Sequence, residues 1–142
     1  MDEGEDGSNS VVPINYSAAA ELADEVRAFA IIESGEDEYR IGDMGDAFGL
    51  LQMHPATFKR YYGAQVRFAA NNLDTWTEAQ IKACASFLLS HAWRSASQSE
   101  RDLIVQAWNL GEAGVFIERK RNPEYLARWL EAYDRVKGMG DL

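Results

Sequence analysis

Apolar residues recur at helical spacing through most of the chain. Leu22, Val26 and Phe29 lie four and three residues apart, and Glu33 falls four residues later on the same face. On a 3.6-residue period these side chains share a narrow arc, which predicts a helix from a Ser17 cap to about Glu33. Between Gly35 and Met53 the helical period vanishes and glycines accumulate. This stretch reads as a loop with a short, glycine-broken hairpin involving Tyr39-Arg40-Ile41 and Phe48-Gly49-Leu50-Leu51. Pro55 suits the first turn of a short helix that ends before Gly63. Thr77 with Gln80 makes a capping-box pattern for a helix to about Trp93. Ser99, with Asp102 three residues on, begins the next helix, which should stop near Gly111. Asn122-Pro123 starts a last helix with Leu126, Trp129, Leu130, Tyr133 and Val136 inward, ended by Gly138. The expected fold class is mainly α, a helical domain carrying a small Gly-rich β-hairpin.

Composition narrows this picture. At 142 residues and 46% hydrophobic, the chain is long and apolar enough for one well-packed core. Residues from Met1 to about Ser10 are acidic and rich in Gly and Ser, so 1–14 is expected to be a mobile tail before a single domain over 15–142. No apolar run approaches the roughly 20 residues that span a bilayer, and no basic-then-apolar leader opens the chain. A net charge of −9 argues against sequence-independent binding to nucleic acid or anionic membranes. The single Cys84 excludes an intramolecular disulfide framework and shares a helix face with Ile81 and Leu88, as a small core residue would. His91, seven residues on, reads as a satisfied histidine near a helix C-terminus. One Cys and two His without ligand spacing, and no phosphate-loop or dinucleotide glycine pattern, lead us to expect no metal and no cofactor.

The candidate chemistry starts at Glu33. Burying an ionised carboxylate is costly, so stability alone does not account for Glu on an apolar stripe. Partial burial raises a carboxyl pKa, which is what a general acid near neutral pH requires. Carboxylates follow at Glu36, Asp37, Glu38, Asp43 and Asp46. Glycoside hydrolysis generally uses two carboxyl groups across the scissile bond. Glu36 to Glu38 read as a solvated acidic loop, whereas Asp43, between Gly42 and Met44-Gly45, is either a turn residue or a second carboxylate.

The run Ile31-Ile32-Glu33-Ser34, the Gly/Asp-rich loop and Ala47-Phe48-Gly49-Leu50-Leu51-Gln52-Met53 resemble goose-type lysozymes and soluble lytic transglycosylases. Ala107-Trp108-Asn109-Leu110-Gly111 is similar to a third block of that superfamily, with Trp108 in place of its usual tyrosine. Asn122-Pro123-Glu124-Tyr125 is similar to a fourth, which supplies a cleft tyrosine. The resemblance covers roughly Ala18 to Lys137. It implies a lysozyme-like fold with the hairpin flanking a glycan cleft. It also implies cleavage of the β-1,4 bond between N-acetylmuramic acid and N-acetylglucosamine.

Under this resemblance Glu33 is the general acid and Asp43 positions the attacking water, with the two carboxyl groups roughly 6.5–9.5 Å apart if water attacks directly. Ser34, Gln52, His54, Trp108, Asn109 and Tyr125 become substrate-binding candidates. His54 stands where goose-type enzymes often have another aspartate. Lytic transglycosylases lack the second acid and form 1,6-anhydro ends, so that reaction stays open, as do chitin as substrate and a non-catalytic glycan-binding or virion module. The expected partner is peptidoglycan or a chitin-like glycan, bound by a monomer without membrane insertion. Activity on the cell wall would follow secretion, periplasmic delivery or phage release.

Overall fold

The computed structural model describes residues 13–62 and 73–140. Among them are α1 (Ala23–Ser34), β1 (Ile41–Gly42), β2 (Ala47–Phe48), α2 (Pro55–Tyr62), α3 (Leu73–Ser90), α4 (Gln98–Leu110), α5 (Glu112–Phe116) and α6 (Pro123–Gly140). The mainly helical architecture with one small hairpin is the fold class expected from the sequence. The acidic segment expected as a tail lies outside the described residues up to position 12, and Ile14 already packs against the core. No described helix is long and apolar enough to cross a membrane.

The first and last helices form the centre. Along α1 the stripe of Leu22, Val26 and Phe29 is buried, and α6 packs against it with Tyr125, Trp129, Ala132 and Val136. The Phe29 ring meets Trp129 at 5.4 Å and Trp108 of α4 at 5.7 Å, joining three helices through aromatic contacts. Each such buried apolar side chain stabilises the fold by about 1.5–3 kcal/mol. Cys84 is fully buried on α3, the core position predicted for it.

Several predicted boundaries move for local reasons. Ser17 caps nothing: its amide donates to Asn15 Oδ1, and Ser17–Leu22 is a 3-10 helix kinked at Ala20, where φ is +52°. The Thr77–Gln80 box is absent, because α3 is already under way at Leu73 and both side chains are buried. That helix ends at Ser90, short of Trp93, and Ala92 then turns left-handed. The cap of α4 is Ser97, not Ser99: its hydroxyl accepts from the Glu100 amide while Glu100 accepts from the Ser97 amide. Gly111 does stop α4, but the short α5 follows at once and was not anticipated. On α6, Leu130 is 39% exposed rather than inward, and the helix passes Gly138.

The hairpin is shorter than expected. Only Ile41↔Phe48 and Gly42↔Ala47 pair, while Tyr39 and Arg40 lie outside it and Leu50 and Leu51 sit fully buried in the following turn. That turn is held by Gln80 of α3, whose Oε1 accepts from the Leu51 amide and whose Nε2 donates to the Phe48 carbonyl, both at 2.9 Å. Gly49 is obligatory here: its φ is +82°, and a Cβ would lie 2.6 Å from Gln80 Nε2. Phe48 O keeps a second donor in the Met53 amide, so loss of Gln80 orphans chiefly the buried Leu51 N–H. Replacing Gln80 with Leu should therefore cost about 1–3 kcal/mol in urea denaturation. An unchanged midpoint would show that the clamp does not hold the turn.

Candidate active site

Glu33 stands in the last turn of α1, which ends because Gly35 adopts φ +69° and turns the chain away. The Glu36 amide reaches back to the Ala30 carbonyl and fixes this exit. Ser34 is buried, and its hydroxyl lies 2.7 Å from the Leu50 carbonyl while accepting from the Asp37 amide. It therefore fastens the end of α1 to the Gly49 turn. Ser34 does not reach the cavity where a substrate would sit.

That cavity, of about 250 Å³, lies between the end of α1, the hairpin, the head of α2 and α4. Glu33, Asp43, Gln52, His54, Trp108 and Asn109 line it together, joined by Arg40 and Thr57, which sequence reasoning had not singled out. Six of the eight predicted site residues thus share one wall system. Ser34 and Tyr125 are the exceptions.

Tyr125 is buried, and its hydroxyl donates to Glu33 Oε2 at 2.6 Å. It supports the acid from behind instead of facing a ligand. Its own position is set by Asn122, whose Oδ1 accepts from the Tyr125 amide and caps α6. Asn122 also donates from Nδ2 to Asn109 Oδ1 and from its amide to Gln106 Oε1. Asn109 therefore ties α4 to the start of α6, and the Asn-Pro-Glu-Tyr block works as a bracket for Glu33. Gln106 has no counterpart among the predicted residues; a Gln within an apolar helix face is the signal that could have revealed it.

Gln52 is committed to the loop as well. At φ +49° it donates both amide protons, to the Arg40 and Gly49 carbonyls, which leaves only Oε1 as an open acceptor. Asp43 occupies the hairpin turn at φ +49°, and its Oδ2 pairs with His54 Nε2 at 3.0 Å. Trp108 serves two roles: it is partly buried against Phe29 and Phe87, and its remaining surface faces the cavity.

Trp108 and Thr57 also border a second cavity of about 240 Å³, lined by Arg60, Tyr61, Phe87 and Glu112. Glu112 bonds His91 at 2.5 Å and Arg60 at 2.9 Å, so His91 is the satisfied histidine the sequence suggested. Burial works to raise the Glu112 carboxyl, but the neighbouring Tyr61, His91 and Arg60 outweigh it and hold the pKa below the usual range. Among the described residues no three His, Cys, Asp or Glu side chains gather as a metal ligand set.

The electrostatics of Glu33 run the other way. Desolvation raises its pKa most strongly, and the nearby Asp43 charge adds to the rise. The Tyr125 hydrogen bond, Arg128 and His54 each oppose it without cancelling it. Burial and the Glu33 charge push the Tyr125 phenol far upward, so it stays a donor. A carboxyl with a raised pKa that faces a cavity, with a second carboxyl on the hairpin side, has the makings of a proton donor to a bound oxygen.

Removing a bond that favours the carboxylate must raise the Glu33 pKa further. In Tyr125→Phe the Glu33 carboxyl, followed by NMR of the ¹³C-labelled protein, should therefore titrate at higher pH. An unmoved titration, or one moved downward, would mean that Tyr125 does not tune Glu33. Comparison with protein-family models, curated proteins and solved structures found no match to this chain.

Proposed function

We propose that this protein is a peptidoglycan-cleaving glycosidase of lysozyme-like type, acting on the β-1,4 bond between N-acetylmuramic acid and N-acetylglucosamine. One observation carries the reading: a desolvated carboxyl with a raised pKa, Glu33, shares one cavity with the exposed carboxylate of Asp43. In this mechanism Glu33 gives its proton to the glycosidic oxygen as the C1–O bond breaks. Water, held by Asp43, attacks C1 from the other face, and its proton passes to that carboxylate. Trp108 offers an aromatic face to a sugar ring, and Gln52 Oε1 and Arg40 offer polar contacts along the wall.

The sequence motifs support the same reading, since four blocks of the resemblance converge on this cavity or its supports. Asp43 favours hydrolysis over the transglycosylase reaction, which needs no second acid. The acidic surface gives no attraction to an anionic wall, so recognition must come from the cavity itself.

Glu33→Gln keeps the size and hydrogen-bonding capacity of the side chain but removes the transferable proton. On purified peptidoglycan it should lower turnover by about 10²–10⁴-fold, with sedimentation binding retained. Mass spectrometry of the unaltered protein's digest should show reducing ends. Undiminished wall cleavage by Glu33→Gln would remove Glu33 from the chemistry. Release of sugars from chitin oligomers without wall clearing would move the substrate to chitin.

A further inference from the structure

Asp43 lines the cavity but is not fixed by packing, because its side chain is 67% exposed. An exposed carboxylate samples several rotamers, and catalysis by positioning fails when the positioning group wanders. Two features restrain it. The backbone at Asp43 and Met44 is left-handed, with φ +49° and +57°, which non-glycine residues adopt only when their surroundings enforce it. His54 then supplies the side-chain restraint through its 3.0 Å bond to Oδ2.

The His54 side chain is itself 50% exposed, but its backbone is anchored. His54 precedes Pro55 at the head of α2, and its carbonyl accepts from the Phe58 amide at 3.0 Å. The Asp43–His54 pair thus links the hairpin turn to a helix across the cavity mouth. A side-chain contact this exposed adds little to stability, so its consequence lies in where it holds Oδ1.

From this geometry we propose that His54 is the positioning residue that directs the outcome of the reaction, by holding Asp43 so that water reaches C1 before the substrate's own C6 hydroxyl does. The inference rests on the hydrolase reading of the Glu33 cavity. In the hydrolytic course the water oxygen bonds C1, the C1–O bond to the leaving sugar breaks with the proton from Glu33, and the water's proton goes to Asp43. In the competing course the C6 oxygen bonds C1 and its proton returns to the Glu33 carboxylate, giving a 1,6-anhydro end. The two courses share the acid and differ only in which oxygen is presented to C1.

The test is the ratio of reducing to anhydro ends released from purified peptidoglycan, read by mass spectrometry. Being a ratio, it is insensitive to the fraction of protein folded. The unaltered protein should give reducing ends. His54→Ala should lower the ratio by at least about tenfold. His54→Gln, which keeps an amide donor near the Nε2 position, should restore most of it. Asp43→Asn should resemble His54→Ala, and the double variant should be no worse than Asp43→Asn alone. A wild-type ratio in His54→Ala overturns the proposal, as do anhydro ends alone from the unaltered protein, which would leave Glu33 as acid. No cleavage by the unaltered protein overturns the glycosidase reading, and this inference with it.

Discussion

The hydrogen bond from Tyr125 to Glu33 joins the end of the first long helix to the start of the last. Its geometry depends on the whole centre of the molecule. α6 must pack along α1, Asn122 must cap α6, and Asn109 and Gln106 must hold Asn122. The same packing removes water from Glu33 and raises its pKa. The position of this carboxyl and the rise in its pKa therefore have one common cause.

Burial alone does not mark a functional carboxylate here. Glu25 lies two turns earlier on α1 and is only 8% exposed, with Oε2 accepting from the Trp93 indole at 3.1 Å. That bond gives Glu25 a structural use, locking α1 to the segment before α4. Glu33 differs because its carboxyl borders a cavity whose other wall carries Asp43 and His54. Apolar periodicity singles out Glu33, but it carries no information about an open wall. Only the motif blocks downstream supplied that.

The legible parts of the fold were those encoded locally. Pro55 opens α2, and the α1 stripe and the core position of Cys84 follow from spacing alone. Errors arose where a short polar pattern had two meanings. Gln80 resembles part of a cap in sequence, yet it is a buried clamp on residues 29 and 32 positions away, a long-range use that no local pattern reveals. Ser99-x-x-Asp102 and Ser97-x-x-Glu100 offer competing cap patterns two residues apart, and the structure uses the second. The blocks that hold Tyr125 and Ser34 resemble cleft motifs, yet neither side chain lines the cavity: Tyr125 bonds Glu33, and Ser34 fastens the end of α1 to the turn beside it.

Tertiary packing, and not local sequence, raises the pKa of Glu33. The most direct test follows the side-chain carboxyl carbons of the glutamates by NMR across a pH titration of the ¹³C-labelled protein. Glu33 should titrate above the ordinary glutamate value and above the exposed glutamates of the same chain. A Glu33 carboxyl that titrates with the exposed ones would show that packing does not perturb it.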